Sequence, residues 1–279
     1  MKRALAWTVL PCLLFSACAS AGRNLTKETS VESQESLAAG DYEKALDSFK
    51  EAHGENARNK ELTANYVRTV EDIKRIADGA RSQQDYARAE GIYRILFDRF
   101  GDFEEFAAEL TFEKAELGTA LKECRIGAVD NPAARAMKAA NFAKAIDIFR
   151  TALKEYPADA ELVAKYRARV REIKAAGDKA FAAKNFSRAG TVNALLFRNY
   201  PSYERLKPPV GFTRDSLREA ISACRESLTK TGLAEYRNGD LAKAIATWEG
   251  LLAFDPDNTE IRKAVTTART QLNALKKKK

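Results

Sequence analysis

Apolar residues recur at helical spacing along most of the chain, and runs that alternate with a period of two are scarce. Between residues 160 and 183, for example, Leu162, Tyr166, Val170 and Ile173 fall three or four positions apart. That spacing places them on one face of a single long helix. The pattern therefore predicts an all-α protein whose helices each bury one apolar stripe.

The same spacing predicts further long helices at residues 213–238 and 259–275, the second as a terminal cap. Between the regular stretches, Asn131-Pro132 is expected to end one helix and start another, because proline lacks the amide hydrogen that a helix interior requires.

The pattern returns after 100 residues without a gap: the five residues from Asp41 (DYEKA) correspond to the five from Asn141 (NFAKA). Self-similarity at a fixed period indicates a stacked repeat architecture. It predicts two modules, each of two hairpins plus an insert, followed by a fifth hairpin with a capping helix and a basic tail. The predicted ranges are residues 34–125, 126–224 and 225–279.

Each module contains a shorter pattern twice, and a fifth copy follows. Each copy has a turn residue, then an aromatic residue or Leu, then Ala three positions later. The small residue lets two helices approach closely, and the turn residue can accept the first free amide hydrogens of a helix. The predicted capping residues are Asp41, Asp85, Asn141, Asn185 and Asp240.

These copies resemble the tetratricopeptide repeat (TPR), a helix–turn–helix unit of about 34 residues. The fifth copy fits best, with Gly232, Ala244, Trp248 and Pro256 at positions where the family has small, small, aromatic and proline residues. Copies start 44 to 56 residues apart, which is longer than the family's period. The resemblance implies a right-handed TPR-like helical-hairpin solenoid with elongated helices and a terminal capping helix.

The N-terminus is typical of an export signal. Lys2-Arg3 precedes an apolar run of 14 residues, shorter than the about 20 that a membrane span needs. The run ends in LFSAC, which resembles a bacterial lipobox and implies a signal peptide over residues 1–17 and a lipid on Cys18. The polar residues that follow predict a flexible tether over 18–33. Ordinary cleavage after Ala21 remains an alternative.

Two cysteines, Cys124 and Cys224, occupy equivalent points of the two modules. A disulfide requires Cα atoms within about 7 Å, and equivalent points of stacked modules lie farther apart. Each follows apolar residues at helical spacing, so both are predicted to be unbridged packing residues.

Charge is unevenly distributed. Residues 1–125 carry 18 Lys+Arg and 22 Asp+Glu, a net of −4, whereas residues 126–279 carry 29 and 17, a net of +12. A basic half suits an acidic protein, anionic lipid or nucleic acid, or it is simply a solvated helix surface. An exported protein rarely meets nucleic acid, so no nucleic-acid partner is expected.

Motifs for catalysis are missing from the sequence. His53 is the only histidine, and no second ligand stands at metal-binding spacing from it. Phosphate-binding, nucleophile-elbow and zinc-protease motifs are also missing. We therefore expect no catalytic residues, no metal, no cofactor and no enzymatic activity.

The candidate site is the concave face of the solenoid. In TPR proteins, which this chain resembles, the first helix of each repeat lines that face. Basic residues there flank aromatic ones, a mixture that suits an acidic, partly apolar protein surface. Asp78 and Asp178 stand where the carboxylate-clamping members of the family have Asn, which disfavours that mode of binding. The predicted partner-binding residues are Lys74, Arg81, Met137, Lys138, Arg171, Lys174, Phe181, Tyr236 and Arg237.

Together these features favour a non-enzymatic lipoprotein of the bacterial envelope that serves as a protein–protein interaction scaffold. It would be anchored by its lipid on the periplasmic side of the inner or outer membrane. One alternative is a transport accessory that partners a solute-binding protein or permease, with Phe103 to Phe112 lining a cavity. Others are a subunit for outer-membrane protein assembly or an envelope and cell-wall spacer.

Overall fold

The computed structural model describes residues 15–277, and the side chains of residues 26–276. All regular elements within residues 15–277 are helices, which confirms the predicted all-α class. Most of the predicted signal peptide, residues 1–17, lies outside the described range. The Cys18 side chain also lies outside the described side chains.

The chain divides into two compact units, residues 1–128 and 129–279. Unit 1 contains two helical hairpins, and an irregular segment of residues 99–113, here called insert 1, follows them. Insert 1 contains two short 3-10 helices, Phe100–Asp102 and Glu104–Glu109. The hairpin helices are α1 (Phe15–Ala39), α2 (Tyr42–Glu55), α3 (Lys60–Ser82) and α4 (Tyr86–Asp98).

Helix α5 (Lys114–Lys138) begins in unit 1 and ends in unit 2. Residues 200–213 form insert 2, the counterpart of insert 1. Successive helices of unit 2 pack against each other, and the predicted capping helix closes the stack. These helices are α6 (Phe142–Glu155), α7 (Ala160–Ala182), α8 (Phe186–Asn199), α9 (Arg214–Arg237), α10 (Leu241–Leu252) and α11 (Thr259–Lys277).

Four of the five predicted helix caps are made. In each, the side-chain oxygen accepts a hydrogen bond from the backbone amide three residues later, at Asp41, Asp85, Asn141 and Asn185. Asp240 makes no such bond. Its carboxylate instead pairs with Lys243 at 3.2 Å, so the local ion pair replaces the cap.

The structure differs from the predicted flexible tether over residues 18–33, because these residues belong to α1. Thr26, Thr29 and Ser33 are buried on its packing face. The Ser30 hydroxyl donates to the Thr26 carbonyl at 2.8 Å, and Asn59 donates to the Thr26 hydroxyl at 2.8 Å, whereas the buried Ser33 hydroxyl has no hydrogen-bond partner. From residue 26 onward, a segment whose composition resembles a linker therefore packs as a helix.

The predicted helix break at Asn131-Pro132 is wrong, since α5 continues through Pro132. Proline has no amide hydrogen to give the carbonyl four residues earlier, that of Ala128. The boundary between the two units falls at that residue. The proline thus weakens the hydrogen bonding of α5 at the boundary without ending the helix.

Each unit has its own apolar core. In unit 1, Tyr66 and Ile73 of α3 pack with Tyr93 and with Phe103 of insert 1. The thiols of Cys124 and Cys224 are free and buried, in agreement with the prediction. Burial raises the pKa of both thiols from 9.0 to about 11, as expected of packing residues.

Candidate functional site

Insert 1 folds back over α3, the helix that carries Lys74 and Arg81. The Glu71 carboxylate accepts a hydrogen bond from the Thr111 hydroxyl at 2.8 Å and another from the Thr111 amide. The Lys74 ammonium lies 5.5 Å from the centre of the Phe112 ring and pairs with Asp78 at 2.7 Å. Lys74 is thus engaged within unit 1.

Insert 2 covers the equivalent face of α7. The Arg171 guanidinium donates to the carbonyl of Val210 at 3.0 Å and to that of Pro209 at 2.8 Å. The Lys174 ammonium pairs with Asp178 and lies 6.0 Å from the centre of the Phe212 ring. Arg171 and Lys174 therefore hold the chain's own insert.

The inserts are fixed parts of the core and do not form loose flaps. Phe103 and Phe106 pack edge-on against Tyr66, with ring centres 6.4 and 5.0 Å apart. In unit 2, Tyr203 packs edge-on against Tyr166 at 6.4 Å. Phe103 and Tyr203 are almost fully buried. A partner would have to unpack the core to reach the covered part of α3 or α7.

The other predicted residues lie near the hairpin turns. Arg81 pairs with Glu123 at 2.8 Å. Phe181, at the end of α7, is 38% exposed and packs on Phe186. Tyr236 is half-buried against Trp248. Of the remaining predicted residues, Met137 is half-buried, and Lys138 and Arg237 are exposed.

Sequence reasoning missed a groove in unit 1 between α1 and α3, which we call groove 1. Its volume is about 480 Å³. Asn65 donates to the Ser30 hydroxyl at 3.0 Å across it. Hydroxyl and amide side chains dominate the lining, and its charged residues balance, with two bases and two acids. The lining includes Ser30, Gln34, Asn65 and Thr69, together with Lys27, Arg68, Glu61 and Asp72.

Unit 2 has the counterpart, groove 2, between α5 and α7, with a volume of about 380 Å³. Asp130, 100 residues after Ser30, pairs there with Lys165 at 3.0 Å and with Arg169 at 2.9 Å. Burial opposes ionisation of Asp130, but hydrogen bonds from Lys165 and Arg169 outweigh it and lower its pKa below 3.8. Groove 2 is therefore crossed by ion pairs, whereas the hydrogen bond from Asn65 to Ser30 across groove 1 joins two neutral groups.

The grooves were missed because each depends on pairs about 35 residues apart. A usable signal was present: the two modules match at packing positions but differ at Ser30 and Asp130, and at Asn65 and Lys165.

Within the described part of the chain, no group of three or more His, Cys, Asp or Glu side chains is placed to hold a metal ion. Among the helices of residues 15–277, none is long and apolar enough to cross a bilayer.

Residues 226–258 match the tetratricopeptide repeat family model. The match falls on the fifth hairpin and confirms the TPR resemblance predicted there. Such repeats serve in general as interaction modules for protein partners. No curated protein matches the chain significantly.

Two solved structures align with the chain at low similarity. A TPR repeats protein from Bacteroides fragilis is 14% identical, with 88% of this chain and 98% of that chain covered, at a TM-score of 0.20. A circular tandem repeat protein with a novel repeat topology is 15% identical, with coverages of 92% and 67%, at a TM-score of 0.21. Both TM-scores are too low to establish a shared overall fold.

Proposed function

We propose that the protein is a lipid-anchored interaction scaffold of the bacterial envelope, and that it receives an extended, polar segment of a partner protein in groove 1. The observation that carries this proposal is the lining of groove 1. Amide and hydroxyl groups such as those of Gln34 and Thr69 both donate and accept hydrogen bonds. An extended peptide presents the same two kinds of group along its backbone.

The charges of groove 1 indicate the net charge of the segment that it would bind. Lys27 and Arg68 are balanced by Glu61 and Asp72, so the groove does not select an acidic segment. Leu37 adds an apolar contact to the lining. A polar segment of low net charge with an occasional aliphatic residue fits this chemistry better than the acidic partner expected from the sequence.

The envelope location is proposed from the sequence alone. The charged pair Lys2-Arg3, the short apolar run and the lipobox-like LFSAC support export and lipid attachment at Cys18. Metabolic labelling with a radioactive fatty acid tests this directly. Wild type should incorporate label and sediment with membranes, and Cys18→Ser should lose both properties. Equal labelling of the two proteins would exclude lipidation at Cys18.

A site-specific crosslink tests the groove. A photoreactive amino acid placed at Gln34 in groove 1 should form a discrete adduct with one envelope protein in living cells. The same group at Ala134, the equivalent position 100 residues later, is the matched control and should form none. Equal adducts at both positions, or none at Gln34, would contradict the proposal.

The transport-accessory alternative needs an apolar cavity near insert 1. Phe103, Phe106 and Phe112 are buried in the core of unit 1. They therefore do not supply an accessible lining for a small ligand.

A further inference from the structure

The hairpin turns of unit 2 lie along one edge. Helices α5 to α10 are consecutive and run antiparallel, so every second connection returns to the same end of the stack. The α5–α6, α7–α8 and α9–α10 turns share that end, and we call it the turn edge of unit 2. Helix α11 follows α10 in the opposite direction, so the C-terminal end of α11 also lies at the turn edge. The Leu275 side chain near that end is 55% exposed.

This edge is strongly basic. Within four residues of its three turns there are eight bases and two acids, a net charge of +6. All eight bases are exposed. They are Arg135, Lys138, Lys144, Lys179, Lys184, Arg188, Arg237 and Lys243, and the two acids are Glu235 and Asp240.

Most of these bases lack an acidic partner. Asp240 pairs with Lys243, and Glu235 accepts a hydrogen bond from Thr247 at 2.7 Å. Among the described residues, the other seven bases make no ion pair. Since unpaired like charges repel, this arrangement is most stable beside an external anionic surface.

The corresponding edge of unit 1 is neutral. Its three bases are balanced by Asp41, Glu43 and Asp85. Each base also has a partner: Lys44 pairs with Glu32 at 3.4 Å, Arg81 with Glu123 at 2.8 Å, and Arg88 donates to the Tyr42 hydroxyl at 3.4 Å. The basic edge is therefore specific to unit 2 and is not a property of the repeat.

The α7–α8 turn adds two features that suit lipid. A shallow depression of about 260 Å³ is lined by small residues, including Ala180 and Ala183, between Lys179 and Arg188. Phe181, beside it in sequence, is 38% exposed. Paired bases over a small depression can hold a phosphate group, and a half-exposed aromatic ring next to them suits the interfacial layer of a bilayer.

We infer that the turn edge of unit 2 docks on an anionic membrane surface. The bases are exposed on three turns at one end of the helices and do not lie inside a groove, so an extended anionic surface suits them better than a narrow peptide does. An acidic protein would need a matching row of carboxylates. This contact is independent of groove 1 and of the lipid on Cys18, and it would hold unit 2 against the membrane.

The test uses the full-length chain with Cys18→Ser and vesicles of phosphatidylcholine with or without phosphatidylglycerol. The edge variant carries Lys179→Glu, Lys184→Glu and Arg188→Glu. The matched control carries Lys154→Glu, Arg198→Glu and Arg205→Glu, three exposed bases at the opposite end of the helices with the same change in net charge. All proteins share the N-terminal apolar run, so only differences between them count.

The edge variant should bind phosphatidylglycerol vesicles more weakly by at least about 100-fold, and the control should bind nearly as wild type does. Equal losses in edge and control variants would overturn the inference, as would binding that ignores phosphatidylglycerol. Loss of an envelope protein partner from the edge variant, with vesicle binding unchanged, would also overturn it and assign the edge to a protein.

Two further variants guard against misfolding. Lys184 has a positive φ of 57°, so Lys184→Gly removes a charge while relieving backbone strain. It should weaken vesicle binding about 5-fold. Phe181→Trp adds a fluorescent probe to Trp7 and Trp248, and its emission, taken as the difference from the parent protein, should shift to the blue only with phosphatidylglycerol. A stable Lys184→Gly variant with unchanged binding, or no emission shift, would contradict the proposed docking.

Discussion

Units 1 and 2 share one packing scheme but use opposite polar chemistry at matching positions. Glu71 holds insert 1 by accepting hydrogen bonds from Thr111. Arg171, 100 residues later, holds insert 2 by donating to backbone carbonyls. Groove 1 has Ser30 where groove 2 has Asp130. The apolar contacts fix the fold, and the polar positions are free to diverge in function.

The inserts give the strongest test of the shared packing scheme. Phe103→Ala in unit 1 and Tyr203→Ala in unit 2 should each lower the free energy of unfolding by about 3–5 kcal/mol, because both rings are almost fully buried. Urea unfolding measures the loss. A cost below about 1 kcal/mol for either variant would mean that its insert is a peripheral flap.

A pair of glycines tests the packing of the hairpins. A Cβ on Gly232 would lie 2.3 Å from Trp248 Nε1, so Gly232→Ala should cost about 1–3 kcal/mol of stability. The control is Gly79→Ala in α3, where a Cβ meets nothing within 4 Å. It should stabilise the protein by about 0.5–1 kcal/mol. Thermal unfolding that ranks the two variants in the opposite order would contradict these contacts.

Some features were predictable because each depends on residues that are close in sequence. They are the helices, four of the capping side chains, the terminal capping helix α11 and the burial of both cysteines. The presence of an insert in each module was predicted, but its packing on α3 or α7 was not, since Glu71 meets Thr111 across 40 residues. The composition of α1 predicts a tether because contacts that fix the helix, such as Asn59 with Thr26, join residues 33 positions apart in sequence. The predicted partner-binding residues lie on α3, α5, α7 and α9, and insert contacts engage Lys74, Arg171 and Lys174.

Lowering the pH should affect the stability that groove 2 contributes but not the stability that groove 1 contributes. Because the pKa of Asp130 is lowered on folding, its ionised form stabilises the fold above its ordinary pKa of 3.8, and this contribution is lost as the pH falls through the lowered value. Asp130→Asn should therefore cost about 1–3 kcal/mol at neutral pH and almost nothing in strong acid.

The control for the acid experiment is Ser30→Ala in groove 1, whose effect on stability should not change with pH. Urea unfolding of both variants from neutral to strongly acidic pH makes the comparison. A pH-independent cost of Asp130→Asn would show that its ion pairs contribute nothing to the fold.

The smallest expected difference concerns two equivalent tyrosines. The buried Tyr66 hydroxyl has no hydrogen-bond partner, whereas the Tyr166 hydroxyl lies 2.6 Å from that of Ser202. Asp102, the counterpart of Ser202, is held by Lys50 and Arg99 instead. Tyr166→Phe should cost about 1 kcal/mol and Tyr66→Phe close to zero. Equal costs in thermal unfolding would refute this difference.

The most direct test of the central claim exchanges the grooves. Ser30→Asp with Asn65→Lys introduces the ion pair of groove 2 into groove 1, and the photoreactive group at Gln34 reports on the partner. The adduct should disappear while circular dichroism and thermal unfolding show an intact fold. An adduct of unchanged yield in this folded variant would contradict the claim that the open, neutral groove of unit 1 is where the partner binds.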